Sequence, residues 1–406
     1  MRRSNVLCVM LTAASLIALE TPAALACGGF FSSSESEIVD MSDQRALLVS
    51  FEGRVDQFVQ IAYEGVPAQF AWVYPFPAQP TLEQVSSDLF TLLDEGTRPR
   101  FTIIDESGGG GGGAGDASGN TGCSCGDIIG VGGNGGDDMT GDMDAGADGG
   151  SSVDVWDEGE VGVFDYAVIT ATSIDDMLTW LGDNGFVVPE TAKPVLQHYV
   201  DLSWFFVAMK LSPGTGFGNA ATSTIKFSYL SETMTYPLYM SSISAASHLG
   251  ILLYVLAPHR MDAAGAYVTS EIATNELDAI TPETTNYEDL FAKAIDVNGG
   301  RAFAVEYAGS GGEVEDMLWS VEDISSAAKA QYLTRLRTIM SPNVMDADVP
   351  LEPAASDTVI DPTFEIFYSR TTNAAVGGWA LLAGLFSYTL LRGAARRLRG
   401  RKGEVP

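Results

Sequence analysis

The stretch RALLVSFEGRVDQFVQIAYEGVPAQFAWVYPF, residues 45–76, decides the fold class because three short apolar runs follow one another along it. The runs are rich in Val, Phe and Tyr, which are residue types that favour strands. Gly53 lies between the first two runs, and Gly65 with Pro67 lies between the next two, where turns need such residues. We therefore predict three neighbouring strands that form an antiparallel meander.

Strand-like and helix-like segments alternate along the rest of the chain. Further strands are predicted at residues 100–104, 161–171, 204–211, 223–230, 235–240, 250–258 and 301–308. Helices are predicted at residues 81–96, 173–185, 189–200, 286–296 and 331–340. Thr81 and Ser173 have the spacing of N-caps, and Pro194 is expected to kink its helix. The predicted fold class is α+β, with a mixed, largely antiparallel sheet, packed helices and one C-terminal transmembrane helix.

Residues 108–152 interrupt this pattern with a composition rich in Gly and Asp. Nineteen of them are Gly, seven are Asp, and none is Lys or Arg. Such a segment buries too little apolar surface to offset the entropy that ordering would cost. We therefore predict a disordered insertion within a single domain that spans residues 27–342. Residues 343–373, rich in Pro and Asp, are predicted to form a tether.

The N-terminal residues have the features of an export signal. Two arginines precede an uncharged apolar run at residues 6–19, and a small–x–small motif ends at Ala26. We predict a signal peptide over residues 1–26, cleaved between Ala26 and Cys27. As a membrane helix the run is short, since about 14 residues rise only about 21 Å. Lipidation of Cys27 stays open, although lipoprotein signals usually have Leu where Ala24 stands.

An apolar segment near the C-terminus, AAVGGWALLAGLFSYTLL at residues 374–391, contains no charged residue and is just long enough to span a membrane. The basic residues 392–406 follow at once, and the positive-inside rule makes them a cytoplasmic tail. The residues expected to fix the helix at the membrane interfaces are Trp379, Tyr388, Arg392, Arg396 and Arg397. As an alternative, the segment resembles bacterial C-terminal sorting tails, which are recognised and then removed.

The charge of the chain is strongly asymmetric. The net charge of −31 includes +5 from residues 392–406 and +1 from residues 1–26, so the residues between them carry −37. Such an acidic domain repels phosphate backbones, so we predict that nucleic acid is not a partner. The predicted partner is the membrane, together with a protein or glycan that the sequence does not identify.

The insertion contains the candidate ligands for a cation. Asp142, Asp144 and Asp148 are spaced as in a calcium-binding loop, but the closing bidentate Glu is missing. We predict no cofactor and no metal, with weak calcium binding as the alternative. Cys123 and Cys125 lie in the same segment, and export to an oxidising compartment favours a local disulfide between them.

Catalytic motifs give little support for an enzyme. The sequence has no HExxH, no GxSxG and no P-loop, and its three histidines, His198, His248 and His259, are scattered singly. We name no catalytic residue and expect a protein without enzymatic activity. A hydrolase acting on peptides or glycans is the alternative. It would require one of these histidines beside a carboxylate and a Ser or Thr hydroxyl in a cleft.

Five sequence blocks in order resemble a bacterial family, domain of unknown function 2330. The blocks are CGGFF (27–31), FAWVYPFP (70–77), VGVFDYAVI (161–169), MLTWLGDNGF (177–186) and YLTRLRTIMSP (332–342). The resemblance implies export but no established activity or catalytic residues. Members of this family often have a second Cys shortly after CGG, where this chain has Ser32, so Cys27 lacks the expected local partner.

Taken together, these features predict an uncharacterised envelope protein with an acidic domain outside the cytoplasm. A C-terminal helix would hold it as a single-pass membrane protein, and its role would be binding or surface organisation. Calcium-dependent adhesion through the insertion is a second alternative, after the hydrolase.

Overall fold

The computed structural model describes residues 25–26, 29–31, 41–64, 71–86, 88–105, 153–212, 220–311, 324 and 331–368. This part of the chain is mostly sheet with few helices. The strands are β1 (Leu25–Ala26), β2 (Gly29–Phe31), β3 (Met41–Phe51), β4 (Arg54–Glu64), β5 (Ala71–Phe76), β6 (Thr81–Val85), β7 (Arg100–Asp105), β8 (Val153–Val161), β9 (Phe164–Ala171), β10 (Phe205–Leu211), β11 (Ala220–Leu230), β12 (Met234–Tyr236), β13 (Ala245–Ala257), β14 (Met261–Ala263), β15 (Val268–Glu271), β16 (Ala279–Thr281), β17 (Thr284–Thr285), β18 (Ala302–Ser310), β19 (Tyr332–Met340), β20 (Val349–Pro353) and β21 (Thr363–Tyr368). The helices are α1 (Leu89–Thr97), α2 (Ile174–Asp183), α3 (Lys193–Asp201), α4 (Leu238–Ser241) and α5 (Tyr287–Asp296).

Two large sheets dominate the architecture. The first has nine strands in the order β15-β18-β19-β13-β3-β4-β11-β6, with β1 paired to β4. Most of its neighbours are antiparallel, but β13 pairs with β3 and β15 with β18 in parallel. The second sheet has five antiparallel strands in the order β2-β5-β10-β9-β8. The predicted mixed, largely antiparallel character is therefore confirmed.

The predicted N-terminal meander is only partly right. β3 and β4 form the expected hairpin, which turns at Gly53 with a φ of 79°. β5 does not continue that sheet; it pairs with β10 in the five-stranded sheet. The reason lies in its side chains, because Trp72 to Phe76 are all buried. Such a strand needs cover on both faces, and the middle of the second sheet provides it.

The two sheets pack face to face around an aromatic core. Trp72 stacks on Tyr74 at 5.1 Å between ring centroids, and Phe76 packs on Phe227 of the other sheet at 4.8 Å. One buried cluster contains these rings together with the inward side chains of β4, β9, β10, β11 and β13. Burial of large aromatic side chains between the sheets is the main source of cohesion between them.

Helices cover the outer faces of both sheets. α2 and α3 pack on the five-stranded sheet through Met177, Leu181 and Leu196. α1 packs on the nine-stranded sheet through Leu89, Phe90 and Leu93, and α5 packs on the end of that sheet near β18. The result is four layers, with helices outside and sheets inside.

The predicted helix at residues 331–340 is wrong, because this segment is strand β19. Leu333, Leu336 and Met340 have helical spacing, which suggested one apolar face. In the structure β19 lies between β13 and β18 and is buried on both sides. Arg335 and Arg337 also lie in buried surroundings.

The predicted helix at residues 81–96 is half right. Residues 81–85 form strand β6, which pairs with β11, and the helix begins only at Leu89. Thr81 is therefore not an N-cap. Pairing with an open sheet edge overrides the helical spacing of Leu82 and Val85.

Three further predictions need smaller corrections. Residues 161–171 contain a turn at Gly162 with a φ of 62°, so β8 ends before it and β9 begins after it. Residues 235–240 change from β12 to α4 after Tyr236. Pro194 lies in the first turn of α3, where the missing N–H costs little, and not in the helix interior. The other predicted strands, and helices α2, α3 and α5, are confirmed.

The segment predicted as a tether contributes strands to the fold. β20 pairs with β12 and β14, and β21 pairs in parallel with β7. Ring stacking of Phe364 on Phe101 at 5.6 Å attaches β21 to the layer of α5. No helix in the described part of the chain is long and apolar enough to span a membrane, and residues 374–391 lie outside that part.

The cap of α2 gives a direct test of this local structure. Ser173 accepts a hydrogen bond from the backbone N–H of Asp176, as the sequence predicted. We expect Ser173→Ala to lower the free energy of unfolding by about 1 kcal/mol, measured by urea denaturation. Thr179→Ala in the same helix is the control, because its exposed hydroxyl bonds only to the Asp175 carbonyl. Equal losses in both variants would contradict the capping role.

Candidate functional site

A bulge in β18 turns a carboxylate toward the helix-covered face of the nine-stranded sheet. The register between β18 and β19 shifts between Val305 and Tyr307. The extra residue, Glu306, therefore points to the same face as Tyr307. Its side chain is fully buried, with 0% exposure. A buried carboxylate is costly unless charged or polar partners surround it, and the neighbouring strand provides them.

Arg335 of β19 is the first partner of Glu306. Its Nε donates to Glu306 Oε2 at 2.8 Å, and its Nη1 donates to Asp94 Oδ1 of α1 at 2.7 Å. The hydroxyls of Thr97 and Tyr254 accept further bonds from Nη1, at 3.2 and 3.1 Å. Burial lowers the pKa of this guanidinium, but the surrounding phenol and carboxylates raise it by more, so the net shift is upward.

Arg337, two residues further along β19, completes the group. Its Nη1 lies 3.3 Å from Glu306 Oε1, and its two terminal nitrogens donate to Glu288 of α5 at 3.1 and 3.0 Å. The guanidinium carbon also lies 4.1 Å from the ring centre of Phe291. Tyr287 donates its hydroxyl to Glu306 Oε1 at 3.2 Å, and burial, followed by the Glu306 charge, raises the pKa of that phenol.

These contacts form an ionic network, which we call the bulge network (Asp94, Thr97, Tyr254, Tyr287, Glu288, Glu306, Arg335 and Arg337). It ties α1 and α5 to three neighbouring strands, β18, β19 and β13. Its carboxylates and guanidiniums are engaged with one another, so the arrangement holds the layers in register. Mutual pairing of this kind favours a structural role over a catalytic one, although buried ionic clusters also occur in active sites.

A second polar cluster joins α3, α4 and the loop before β20. Asp348 Oδ1 accepts a hydrogen bond from the Tyr199 hydroxyl at 2.6 Å and another from the Tyr239 backbone N–H at 3.1 Å. The Tyr199 oxygen in turn accepts the Met240 N–H at 3.1 Å. The exposed imidazole of His198 lies edge-on to both tyrosine rings, at 5.1 and 5.5 Å.

Burial raises the pKa of Asp348, against the opposing effects of its bonds to Tyr199 and Tyr239 and of His198. Burial also raises the pKa of the Tyr199 phenol well above its ordinary value, and the Asp348 charge adds to that shift. The cluster therefore has one feature of a functional site, a carboxyl group whose ionisation is disfavoured. The same contacts also serve to hold α4 against α3.

His259 is the histidine that the structure places directly against a carboxylate. Its Nδ1 lies 2.9 Å from Asp357 Oδ2, and the Arg260 N–H donates to Asp357 Oδ1 at 2.8 Å. The bond from His259, together with that from Arg260, lowers the pKa of Asp357. Both side chains are exposed, by 60% and 43%. The nearby hydroxyls of Ser356 and Thr358 bond to each other at 2.8 Å.

The three histidines do not come together. His198 lies beside two tyrosines, His248 is exposed on β13, and His259 forms a surface pair with Asp357. Among the described residues, His259 lies against the carboxylate of Asp357, and both of these side chains are exposed. The arrangement required for the hydrolase alternative is therefore met only in part, by His259 and Asp357.

Strand β8 of the five-stranded sheet is exposed along most of its length. It lies at the end of the strand order, and every residue from Asp154 to Glu160 is exposed. Trp156 is 52% exposed and Val155 is 42% exposed. Trp156 occupies a bulge, since the register with β9 shifts between Val155 and Asp157. An open edge with an exposed aromatic ring is a feature of interaction surfaces.

Many of the predicted site residues lie outside the described part of the chain. They are the calcium candidates Asp142, Asp144 and Asp148, the pair Cys123 and Cys125, and the membrane-interface residues Trp379, Tyr388, Arg392, Arg396 and Arg397. Ala26 ends β1, which pairs with β4, while Cys27 is also outside. Within the described ranges, no group of three or more His, Cys, Asp or Glu side chains is placed to hold a metal ion.

Sequence reasoning missed both the bulge network and β8. The signal for the network was present, because RLR at residues 335–337 places two arginines on one face of any strand. The helix predicted for this segment hides that signal, because residues two apart do not share one face of a helix. β8 was missed because its alternation is obscured by charges on nearly every residue.

The bulge network predicts a large loss of stability when one member is removed. Glu306→Ala leaves Arg335 and Arg337 buried without their shared carboxylate. We expect the free energy of unfolding to fall by about 3–5 kcal/mol in chemical denaturation. The control is Lys293→Ala, which breaks the exposed Lys293–Glu276 pair (57% and 52% exposed) and should cost less than about 1 kcal/mol. Similar losses in the two variants would refute the network's role.

Asp348 predicts a specific pH dependence. Because the pKa of Asp348 is raised in the fold, the folded state favours the protonated carboxyl group. The contribution of Asp348 to the free energy of unfolding is therefore greatest below its ordinary pKa of 3.8. That contribution is lost as pH rises through the raised pKa. We expect Asp348→Asn to gain stability relative to the unmodified protein over this window and then level off, as measured by denaturation at several pH values. A constant difference would contradict the shift.

Comparison with known proteins adds a family but no activity. No curated protein and no solved structure matches the chain. One family model does match, over residues 21–352, and its description is "uncharacterized protein conserved in bacteria". The matched range covers most of the chain and contains the five blocks on which the resemblance was based. The chain therefore belongs to the bacterial family of domain of unknown function 2330.

Proposed function

We propose that this protein is an exported envelope protein, held in a membrane by one C-terminal helix, whose acidic domain works by binding. The observation that carries the proposal is the distribution of its polar chemistry. The buried charges of the bulge network are engaged with one another, whereas β8 presents exposed residues from Asp154 to Glu160, with acidic side chains beside Trp156. A protein organised in this way offers a surface to a partner more readily than a reaction centre to a substrate.

The course of the chain after β21 supports attachment close to the membrane. Tyr368 ends β21, and only residues 369–373 separate it from the proposed membrane helix at 374–391. Five extended residues reach at most about 18 Å. The domain would therefore stand near the membrane surface, with the end of β21 toward it. The parallel pairing with β7 puts Asp105 beside Tyr368, so the insertion would leave the fold at the same end.

Export is supported by residues 1–26, which have the composition of a signal peptide, and by the basic residues 392–406 after the proposed helix. Cleavage after Ala26 would leave Cys27 as the first residue, with or without a lipid. The proposed location is the cell envelope, with the N-terminal domain outside the cytoplasm.

An extracytoplasmic hydrolase is the second candidate, and the His259–Asp357 contact is the observation that favours it. A carboxylate on Nδ1 orients an imidazole so that its other nitrogen can accept a proton from a nucleophile. Against this candidate, both side chains are well exposed to solvent. Calcium-dependent adhesion, the remaining candidate, depends on Asp142, Asp144 and Asp148 and therefore on residues outside the described part.

Intact-mass and terminal-peptide measurements on protein purified from its native membranes test the anchor. We expect a chain that begins at Cys27 and ends at Pro406, with the apolar segment retained. A chain that ends near Gly377 or Gly378 would contradict permanent anchorage and show that the segment is a removable tag. A diacylglycerol-sized mass increment on Cys27 would add a lipid anchor to either result.

Labelling with a fluorophosphonate probe tests the absence of catalysis by a serine nucleophile. We expect the full-length protein to remain unlabelled, because the exposed imidazole of His259 gives no protected site for activating a hydroxyl. The matched variant is His259→Ala, with His248→Ala as a control at another exposed position. Labelling that is lost in His259→Ala and kept in His248→Ala would favour the hydrolase over the binding protein.

A further inference from the structure

Strand β8 combines an open edge, a fixed aromatic ring and negative charge. It pairs with β9 on one side, and it is the last strand in the described part of its sheet. An open edge presents backbone N–H and C=O groups that another extended chain can bond. Strand addition to such an edge is a common way of binding peptides.

The hairpin register indicates which backbone groups face outward. Val161 and Phe164 flank the two-residue loop between β8 and β9 and are paired across it. In such hairpins the flanking pair is hydrogen-bonded, and bonded and non-bonded pairs then alternate along the ladder. Glu158 and Glu160 occupy the non-bonded positions, so their N–H and C=O groups point toward the open side.

Trp156 is held in place before any partner arrives. Its Nε1 donates to the Thr170 hydroxyl at 2.8 Å, and its ring packs against the edge of Phe205 at 5.6 Å between centroids. The polar end of the indole is thus satisfied, while about half of the side chain remains exposed. A fixed ring loses little conformational entropy on binding and can contact a cation through its face.

The charge of the strand restricts the kind of partner. The segment from Val153 to Val161 contains no Lys or Arg, and its acidic residues are Asp154, Asp157, Glu158 and Glu160. A second copy of the chain paired edge to edge would place these carboxylates opposite one another, which is unfavourable. The same charges attract an extended segment that carries lysine or arginine.

We propose that β8 binds an extended, lysine- or arginine-containing segment of a partner protein by strand addition, with Trp156 contacting one of its side chains. This inference rests on the proposed binding function and adds the class of partner to it. The acidic bulged edge thus serves two purposes, because it opposes self-association and selects a basic strand.

The test uses the full-length protein in detergent and fluorescent peptides of about eight residues, the length of an ordinary strand. One peptide alternates Lys and Val, and its counterpart alternates Glu and Val. Fluorescence anisotropy should show binding of the Lys peptide, weakened by salt, and no binding of the Glu peptide. Equal binding of both peptides, or none by the Lys peptide, would overturn the proposal.

Two variants at one position separate strand addition from simple charge attraction. Glu158→Pro removes the outward N–H and the charge, whereas Glu158→Gln removes only the charge. We expect Glu158→Pro to weaken binding by about tenfold or more and Glu158→Gln by about threefold or less. Trp156→Ala should weaken it by about three- to tenfold. Equal losses in Glu158→Pro and Glu158→Gln would reduce the interaction to electrostatics and refute strand addition.

A modified peptide keeps the test decisive if Glu158→Pro fails to fold, which circular dichroism would reveal. N-methylation of alternate residues in the Lys peptide blocks hydrogen bonding along one of its edges but keeps its charge. One of the two N-methylated sets should abolish binding, and the other should leave it intact. Retention by both sets would overturn the proposal.

These outcomes are distinct from a failure of the proposed function. If both Glu158→Pro and Trp156→Ala bind the Lys peptide as well as the unmodified protein does, the peptide binds elsewhere than β8. The proposal for β8 would then be refuted, while the proposed binding function would stand. Anchorage is measured independently by the terminal peptides. A concentration-dependent dimer that Glu158→Pro abolishes would identify a second copy as the occupant and refute the basic partner.

Discussion

The position of Glu306 between Arg335 and Arg337 is the constraint on which the helix layer over the nine-stranded sheet depends. Two arginines on one strand face would be very costly beneath helices if they lacked a shared carboxylate. The bulge in β18 supplies that carboxylate without interrupting the sheet, since it turns one extra side chain to the helix face. Asp94 and Glu288 then fix α1 and α5 over the same pair of strands. The packing of both helices thus follows from one irregularity in one strand.

The burial of some strands on both faces also explains which parts of the fold could be predicted from the sequence. Hairpin β3–β4 and helix α2 carry local signals, a Gly turn and a Ser cap, and were predicted correctly. Strand β19 was not, because a strand buried on both faces has no alternation and its Leu and Met spacing imitates a helix. The sheet to which β5 belongs could not be predicted either. Partner choice depends on contacts between residues far apart in sequence, such as Trp72 with Phe227.

Much less of the candidate site could be predicted. The residues chosen from the sequence lie mainly in the insertion and at the termini, because composition and motif spacing are most distinctive there. The polar clusters of the folded domain draw single residues from distant segments: Asp348 reaches Tyr199, and His259 reaches Asp357. No local sequence pattern predicts such contacts. β8 is the exception, since its run of acidic residues beside Trp156 was visible but could be assigned to an open edge only from the strand order.

The two properties of the edge, acidity and openness, explain each other. Among the described residues, β8 is the last strand of its sheet and pairs with β9 on one side. An uncovered apolar strand would pair with a second copy, and charged residues with a bulge are the usual protection against this. Protection alone requires no exposed aromatic ring. Trp156 is hydrogen-bonded and packed, yet about half of it is exposed. Protection against self-association does not explain this exposure, whereas contact with a partner does.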